Sequence, residues 1–343
     1  MARSRLRNRN RNYNRKETNI IIKYLIALLL AFTAPAGLSA PDVVVTSLAD
    51  SGPGSLRQAI ADAPANGTIR FAVEGDIILT SGELAINKPL RILGGRQQRI
   101  TVRVPVGSRS SRVFEVTGRP VKISDLTIQD GDNSLFDDSG GGINNLGDLT
   151  LLRVTIRNCE SVSGGGLYNS SSATATIIDS TISGNIAHDP GICDGGTGGG
   201  ILSRGAVTLI NTTVTDNEAE CEGGGIALIF SGTATLSNTI VGDNHPPFAK
   251  DCTFEDGGFT SAGFNLDSDG TCGLDQPSDL PGVSPLLGPL QDNGGPTDTH
   301  LPMAGSPAID AGDVTTAPRR DQRGVRRPQG PASDIGSVEV EES

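Results

Sequence analysis

Short apolar phrases, alternating with polar residues, recur along the middle of the chain. LTLLRVTIRNC from Leu149, ATIIDSTISGN from Ala175, VTLINTTVTDN from Val207 and ATLSNTIVGDN from Ala234 share one layout, and VKISDLTIQDG from Val121 is an earlier copy. Alternation at period two marks a strand with one face in a core, and threonine and β-branched residues favour that extended backbone. Aligned, the phrases give three apolar columns: Val121, Leu149, Ala175, Val207 and Ala234; Ile123, Leu151, Ile177, Leu209 and Leu236; Ile128, Ile156, Ile182, Val214 and Val241. Successive rungs lie 28, 26, 32 and 27 residues apart. No helical pattern of comparable length separates them, which excludes leucine-rich and other repeats that carry a helix in each unit. One rung cannot bury its own inward face, so the pattern predicts an all-β parallel solenoid whose strands stack about 4.8 Å apart.

Glycine punctuates the repeat. Triplets at Gly140–Gly142, Gly164–Gly166, Gly198–Gly200 and Gly223–Gly225 step by 24, 34 and 25 residues, each followed by isoleucine or leucine. They read as corners where the backbone turns sharply or needs positive φ. The longest rung accommodates an outward loop, Ile186 to Thr197. Asn185, Asn217 and Asn244 form a further column, with Cys159 and Gly131 at the same place in other rungs. Stacked asparagines can bond amide to amide and accept left-handed backbone, so this column reads as a structural ladder rather than a ligand site. Near the start, Ser55 as N-cap and Gln58 three residues on form a capping box for a short helix with Leu56, Ala59 and Ile60 on one face, a lid for the open edge. Past Cys252 the repeat blurs, and pieces such as Pro285-Leu286-Leu287 and Pro307-Ala308-Ile309 suggest irregular covering of the far end.

Composition narrows the classes further. With Gly 45 and Pro 20 in 343 residues, a coiled coil or helical bundle is excluded; with hydrophobics at 36%, so is wholesale disorder. Arg3, Arg5, Arg7, Arg9, Arg11, Arg15, Lys16 and Lys23 precede the apolar run Tyr24–Phe32, and Ala34 and Ala36 supply an A-x-A site. Residues 1–36 therefore read as a secretory signal peptide. The remainder carries 20 Lys and Arg against 38 Asp and Glu, a net charge of −18. Such a surface repels nucleic acid, and no nucleic-acid partner is expected. The mature chain is expected to be monomeric and without a membrane span, in the cell envelope or outside the cell.

Two ends of the chain resemble a bacterial family. Asp50-Ser51-Gly52-Pro53-Gly54-Ser55-Leu56-Arg57-Gln58-Ala59-Ile60 resembles the CSLREA-type N-terminal motif of secreted right-handed parallel β-helix proteins. Asp292-Asn293-Gly294-Gly295-Pro296-Thr297, Ser306-Pro307-Ala308-Ile309-Asp310-Ala311-Gly312, Asp321-Gln322-Arg323-Gly324 and Asp334-Ile335-Gly336-Ser337 resemble the choice-of-anchor Q domain, although Ser333 stands where that family often has cysteine. The Gly triplets also resemble polymorphic outer-membrane protein repeats. The resemblance implies an exported, often surface-displayed, right-handed single-stranded β-helix, commonly followed by a sorting signal; no such signal is read in the residues up to Ser343, and an autotransporter barrel is not expected. Signal peptide, β-helix with N-terminal cap over 41–251, and a choice-of-anchor Q-like region over 252–343 that completes and caps it is the resulting organisation.

Export makes disulfides reasonable. Cys252 and Cys272, 20 residues apart, are the best pair; Cys193 and Cys221, each just before a Gly triplet, form a second, leaving Cys159 as a buried thiol. Because lyases and hydrolases use parallel β-helices, catalysis needs a test from the residues themselves. A uronate lyase needs cations and a base, yet from Asn158 to Pro318 the only Lys or Arg residues are Arg204 and Lys250. A hydrolase needs paired carboxylates, and Asp216 and Asp243 align on neighbouring rungs, about 5–6 Å apart, where two like charges share a proton or hold a cation. With Asp130 and Asp132 they are the candidate metal ligands. Solvated turn aspartates are the alternative reading. Asp130, Asp132, Asp137 and Asp138 cluster in one loop of oxygen ligands without EF-hand spacing, which leaves calcium as the only cofactor to consider. His188, His245 and His300 are far apart in sequence, and Tyr168 is the single tyrosine of the mature chain, a poor endowment for stacking sugars. The leading expectation is a non-catalytic surface scaffold or adhesion module, its partner unidentified and a polysaccharide among the candidates; a polysaccharide lyase or glycoside hydrolase is the alternative.

Overall fold

Alternating strands of this kind close into a coil only if the chain turns the same way after each strand, and it does. The structure, a computed structural model, describes residues 42–109, 111–134, 139–189, 196–245 and 250–341. A representative coil runs through strands Asp148–Leu152, Thr155–Arg157, Glu160–Ser161 and Leu167–Asn169. Stacking these on their counterparts builds a first sheet of nine strands, a second of nine, a third of seven and a small fourth of three. Strand pairing within the sheets is parallel, as in the runs through Asp148–Leu152 and Thr155–Arg157. The fold is all-β, a right-handed parallel β-helix, the sense that parallel crossovers take almost without exception.

The three aliphatic columns stand in the expected register. Val121, Leu149, Ala175, Val207 and Ala234 pair in sequence in the first sheet, as do Ile123, Leu151, Ile177, Leu209 and Leu236. Ile128, Ile156, Ile182, Val214 and Val241 do the same in the second sheet. The structure lengthens each column beyond the recognisable repeats, adding Leu90, Ile92 and Val102 below and Phe259 above. These side chains are buried in one continuous core, with Phe259 half-buried at its upper end.

The third sheet is a departure from the sequence reading. Ile143, Leu167, Ile201 and Ile226, the residues that follow the Gly triplets, form its inner row together with Leu84, Phe114 and Cys252. The triplets lead into it. Gly198 opens one with φ 69, and a Cβ on Gly199 would lie 2.1 Å from the Glu218 carbonyl oxygen of the adjacent chain segment. Left-handed backbone at the first glycine and close approach at the second explain why larger side chains do not fit. Ile186 and Ala187, expected in an outward loop, are a rung of the fourth sheet.

Both ends are covered. The helix Leu56–Asp62 buries Leu56, Ala59 and Ile60 at the N-terminal edge. Ser55 is its N-cap, accepting from the Gln58 N–H at 3.2 Å, while the Gln58 side chain donates to Asp62 rather than back to Ser55, so the reciprocal half of the capping box is not made. At the far end, an irregular loop brings Cys272 and Leu274 against the core, and Cys272 is bonded to Cys252 with 4.9 Å between Cα atoms. Residues 285–341 do something else. They run back along the outer face of the second sheet, where Gln322 accepts from Thr181 (2.7 Å) and donates to Thr155 (2.9 Å), the Ser337 N–H donates to Thr213 (3.0 Å), and Ala308 and Ile335 pack on Ile240 and Leu266. Beneath this cover Arg327 pairs with Glu339 at 3.0 Å and lies 3.8 Å from Asp179, all three side chains 1–2% exposed.

Candidate functional site

The strand Thr213–Thr215 ends in a left-handed residue, Asp216, with φ 57, and one coil on Asp243 holds the same position with φ 56. Asp130, Asn158 and Gly184 occupy it in earlier coils, all with positive φ. Aspartate, asparagine and glycine tolerate that backbone better than other residues. The recurrence of Asp216 and Asp243 thus follows from the corner itself. The two are joined through the backbone, the Asp216 N–H donating to the Asp243 carbonyl at 3.3 Å.

Two histidines meet Asp216. His245 Nε2 lies 3.6 Å from its Oδ1 and His300 Nε2 3.7 Å from its Oδ2. His300 is buried, its Nδ1 against the Gly288 carbonyl at 2.7 Å and its Nε2 against Ser183 Oγ at 2.8 Å. Burial holds its imidazole below the usual histidine range, against the opposing pull of Gly288 and Asp216. Burial and the neighbouring Asp216 charge raise the Asp243 carboxyl above the usual carboxylate range, with His245 pulling the other way. A carboxyl raised by burial and a neighbouring like charge, beside a second aspartate that two imidazoles approach, is the kind of grouping that acid–base chemistry uses. Sequence spacing gave no sign of His300, because the segment that carries it reaches this corner only by folding back along the second sheet.

The other predicted residues are dispersed. Asp130 takes Arg103 (Nε to Oδ2, 3.2 Å) and Gln129 as partners, and its carboxyl is raised by burial against their pull. Asp132 instead accepts from the Ser134 N–H and hydroxyl. Asp137 and Asp138 lie outside the described residues, as does Cys193; Cys221 is buried. Cys159 is a buried free thiol whose pKa desolvation pushes up to about 12.

Asn185, Asn217 and Asn244 stack amide to amide. Each Nδ2 donates to the Oδ1 of the next at 2.9 Å, the backbone N–H reinforces the contact at 3.1 Å, and Cys159 N–H donates to Asn185 below. Left-handed backbone falls on the residue before each asparagine rather than on the asparagine. The ladder ends on a carboxylate, Asp251, whose Oδ1 accepts from Asn244 at 2.8 Å. Asp251, Asp267 and Asp269 converge there, with ligand-type oxygens within 4.8 Å of one another. Their oxygens already accept N–H groups of Asn244, Cys272, Gly270, Asp251 and Thr271, which makes them the fastening of the end loop. Desolvation and the like charges of Asp269 and Asp251 raise Asp267 to about 7.

No helix among the described residues is long and apolar enough to cross a membrane. No known family matches the chain, and no curated protein does either.

Proposed function

We propose that the chain is an exported β-helix protein that serves as a scaffold or adhesion module at the cell surface or outside the cell, with no catalytic activity of its own. The carrying observation is the corner at Asp216 and Asp243: left-handed backbone accounts for both aspartates, and neither Arg204 nor Lys250, the two cations between residues 158 and 318, is among their partners. A uronate carboxylate brought there would meet like charge. The basic and apolar leader of residues 1–36 supports export. The resemblance of Asp50–Ile60 to a CSLREA-type motif, and of the four segments between Asp292 and Ser337 to the choice-of-anchor Q domain, supports surface display. Those C-terminal segments include Gln322 and Ser337, which fasten the flank to the second sheet.

A hydrolase or lyase is the second reading, favoured by His245 and His300 on Asp216. Incubating the purified chain lacking residues 1–36 with a panel of acidic polysaccharides, with and without calcium, separates the two. The scaffold reading expects no new reducing ends and no unsaturated sugars. Sustained turnover abolished by Asp243→Asn would replace it with the hydrolase reading, and unsaturated products would replace it with a lyase.

A further inference from the structure

The geometry points to a binding strip for an acidic glycan, a polysaccharide with carboxylate-bearing units, along the third sheet at Asn144, Tyr168, Arg204 and Phe230; this rests on the adhesion reading and gives it a place and a ligand class. Asn144 and Tyr168 are register partners, each between inward-facing neighbours, so both stand on the outer row of the sheet. Arg204 and Phe230 occupy the corners after the next two strands, Ile201–Ser203 and Ile226–Leu228. The Arg204 guanidinium carbon sits 5.6 Å from the Tyr168 ring centre and 4.7 Å from that of Phe230. At about 4.8 Å per coil, the four residues span roughly 14 Å along the axis, room for a short run of sugar rings.

Three features of this row are unexplained by packing alone. Arg204 Nε is buried without a hydrogen-bond partner, and no carboxylate pairs with the guanidinium among the described residues, in a chain where acids outnumber bases. Asn144 is 8% exposed, yet its Oδ1 has no partner either. Phe230 is 62% exposed and held at φ 49, beside Ser231 at φ 68, in a turn, 229–232, that is two residues longer than the turn 204–205 of the coil before. A bulky side chain rarely occupies left-handed backbone, and such outliers gather at binding sites. A cation stacked on two rings but without a carboxylate partner among the described residues, an acceptor without a hydrogen bond and a largely exposed ring match a sugar acid group for group. Its carboxylate accepts from Arg204, a ring hydroxyl donates to Asn144, and its C–H face lies on Phe230. An acidic peptide could satisfy Arg204, but brings no row of hydroxyls for Asn144.

Titration calorimetry of the chain lacking residues 1–36 with oligogalacturonate, oligoalginate, dextran oligomers and oligoglutamate tests this. At least one uronate oligomer is expected to bind, more weakly as salt rises, with dextran silent. Arg204→Gln and Phe230→Ser are each expected to weaken binding at least tenfold, while Thr176→Ser on the first sheet leaves it unchanged, all with unaltered circular dichroism. Uronate binding that survives Arg204→Gln and Phe230→Ser would overturn the strip but leave the adhesion reading standing. Absence of uronate binding, or equal binding of oligoglutamate, would overturn the glycan assignment; fractionation of native cells, placing the protein in envelope or medium, then judges the adhesion reading by itself.

Discussion

The outer faces of the two nine-stranded sheets carry the same residue and meet different fates. Thr150, Thr176, Thr208 and Thr235 on the first sheet are half-exposed, whereas Thr155, Thr181 and Thr213 on the second are buried at 0–2% beneath residues 285–341. On the first sheet threonine serves backbone preference, as a β-branched residue on a pleated surface. On the second its hydroxyl is also a docking group, because a polar atom taken out of water must find a partner, and Gln322 and Ser337 supply it. Alternation along a strand reports which side faces the coil interior; whether the other side stays wet depends on a segment far away in sequence.

The largest effects should ignore this difference. Leu151→Ala on the first sheet and Ile156→Ala on the second remove buried side chains from the same core, and each should cost about 2–5 kcal/mol in urea unfolding. A large loss at one and none at the other would mean that the sheets do not share an interior.

The covered face carries a pH response of its own, beside that of Asp267 at the end loop. Burial raises the Asp179 carboxyl to about 8 despite Arg327 nearby, and burial likewise raises Asp334 to about 6. Between the ordinary carboxylate range near 4 and these values the folded protein keeps protons that the unfolded chain releases. Stability should therefore fall as pH rises from about 4 to about 8, by at most about 1.4 kcal/mol per unit for each group. Urea midpoints at pH 5 and pH 8 measure the slope, and Asp179→Asn should reduce it, leaving the share of Asp334 and Asp267.

Smaller still is the direct contrast of threonines. Thr181→Val leaves Gln322 short of a partner and should cost about 1–3 kcal/mol. Thr176→Val, on the exposed face, should stay within about 0.5 kcal/mol of neutral. Equal effects would indicate that the flank does not dock.

What could be read from the sequence follows the same division. The aliphatic columns were legible because Val121, Leu149, Ala175, Val207 and Ala234 repeat one position at nearly constant spacing. Strands such as Ile143–Asn145 were not, since three residues beside a glycine corner are too few to display a period. Asp216 and Asp243 could be aligned from their place in the repeat, but His300 arrives through the irregular flank, and the meeting of Asp251, Asp267 and Asp269 depends on the path of the end loop. The Asn185, Asn217 and Asn244 ladder was visible as a column; its carboxylate terminus was not, because Asp251 lies outside the repeat.

Register is the claim on which everything else stands, and paired cysteines measure it. Parallel neighbours opposite one another lie within reach of a disulfide, whereas a slip of two residues along the strand carries the Cα atoms beyond about 7 Å. Thr176 is paired with Thr208, and Thr174 with Ala206. Thr176→Cys with Thr208→Cys should therefore oxidise readily to a cross-link, and Thr174→Cys with Thr208→Cys should not. Efficient bridging of the second pair in place of the first would contradict the stacked coil.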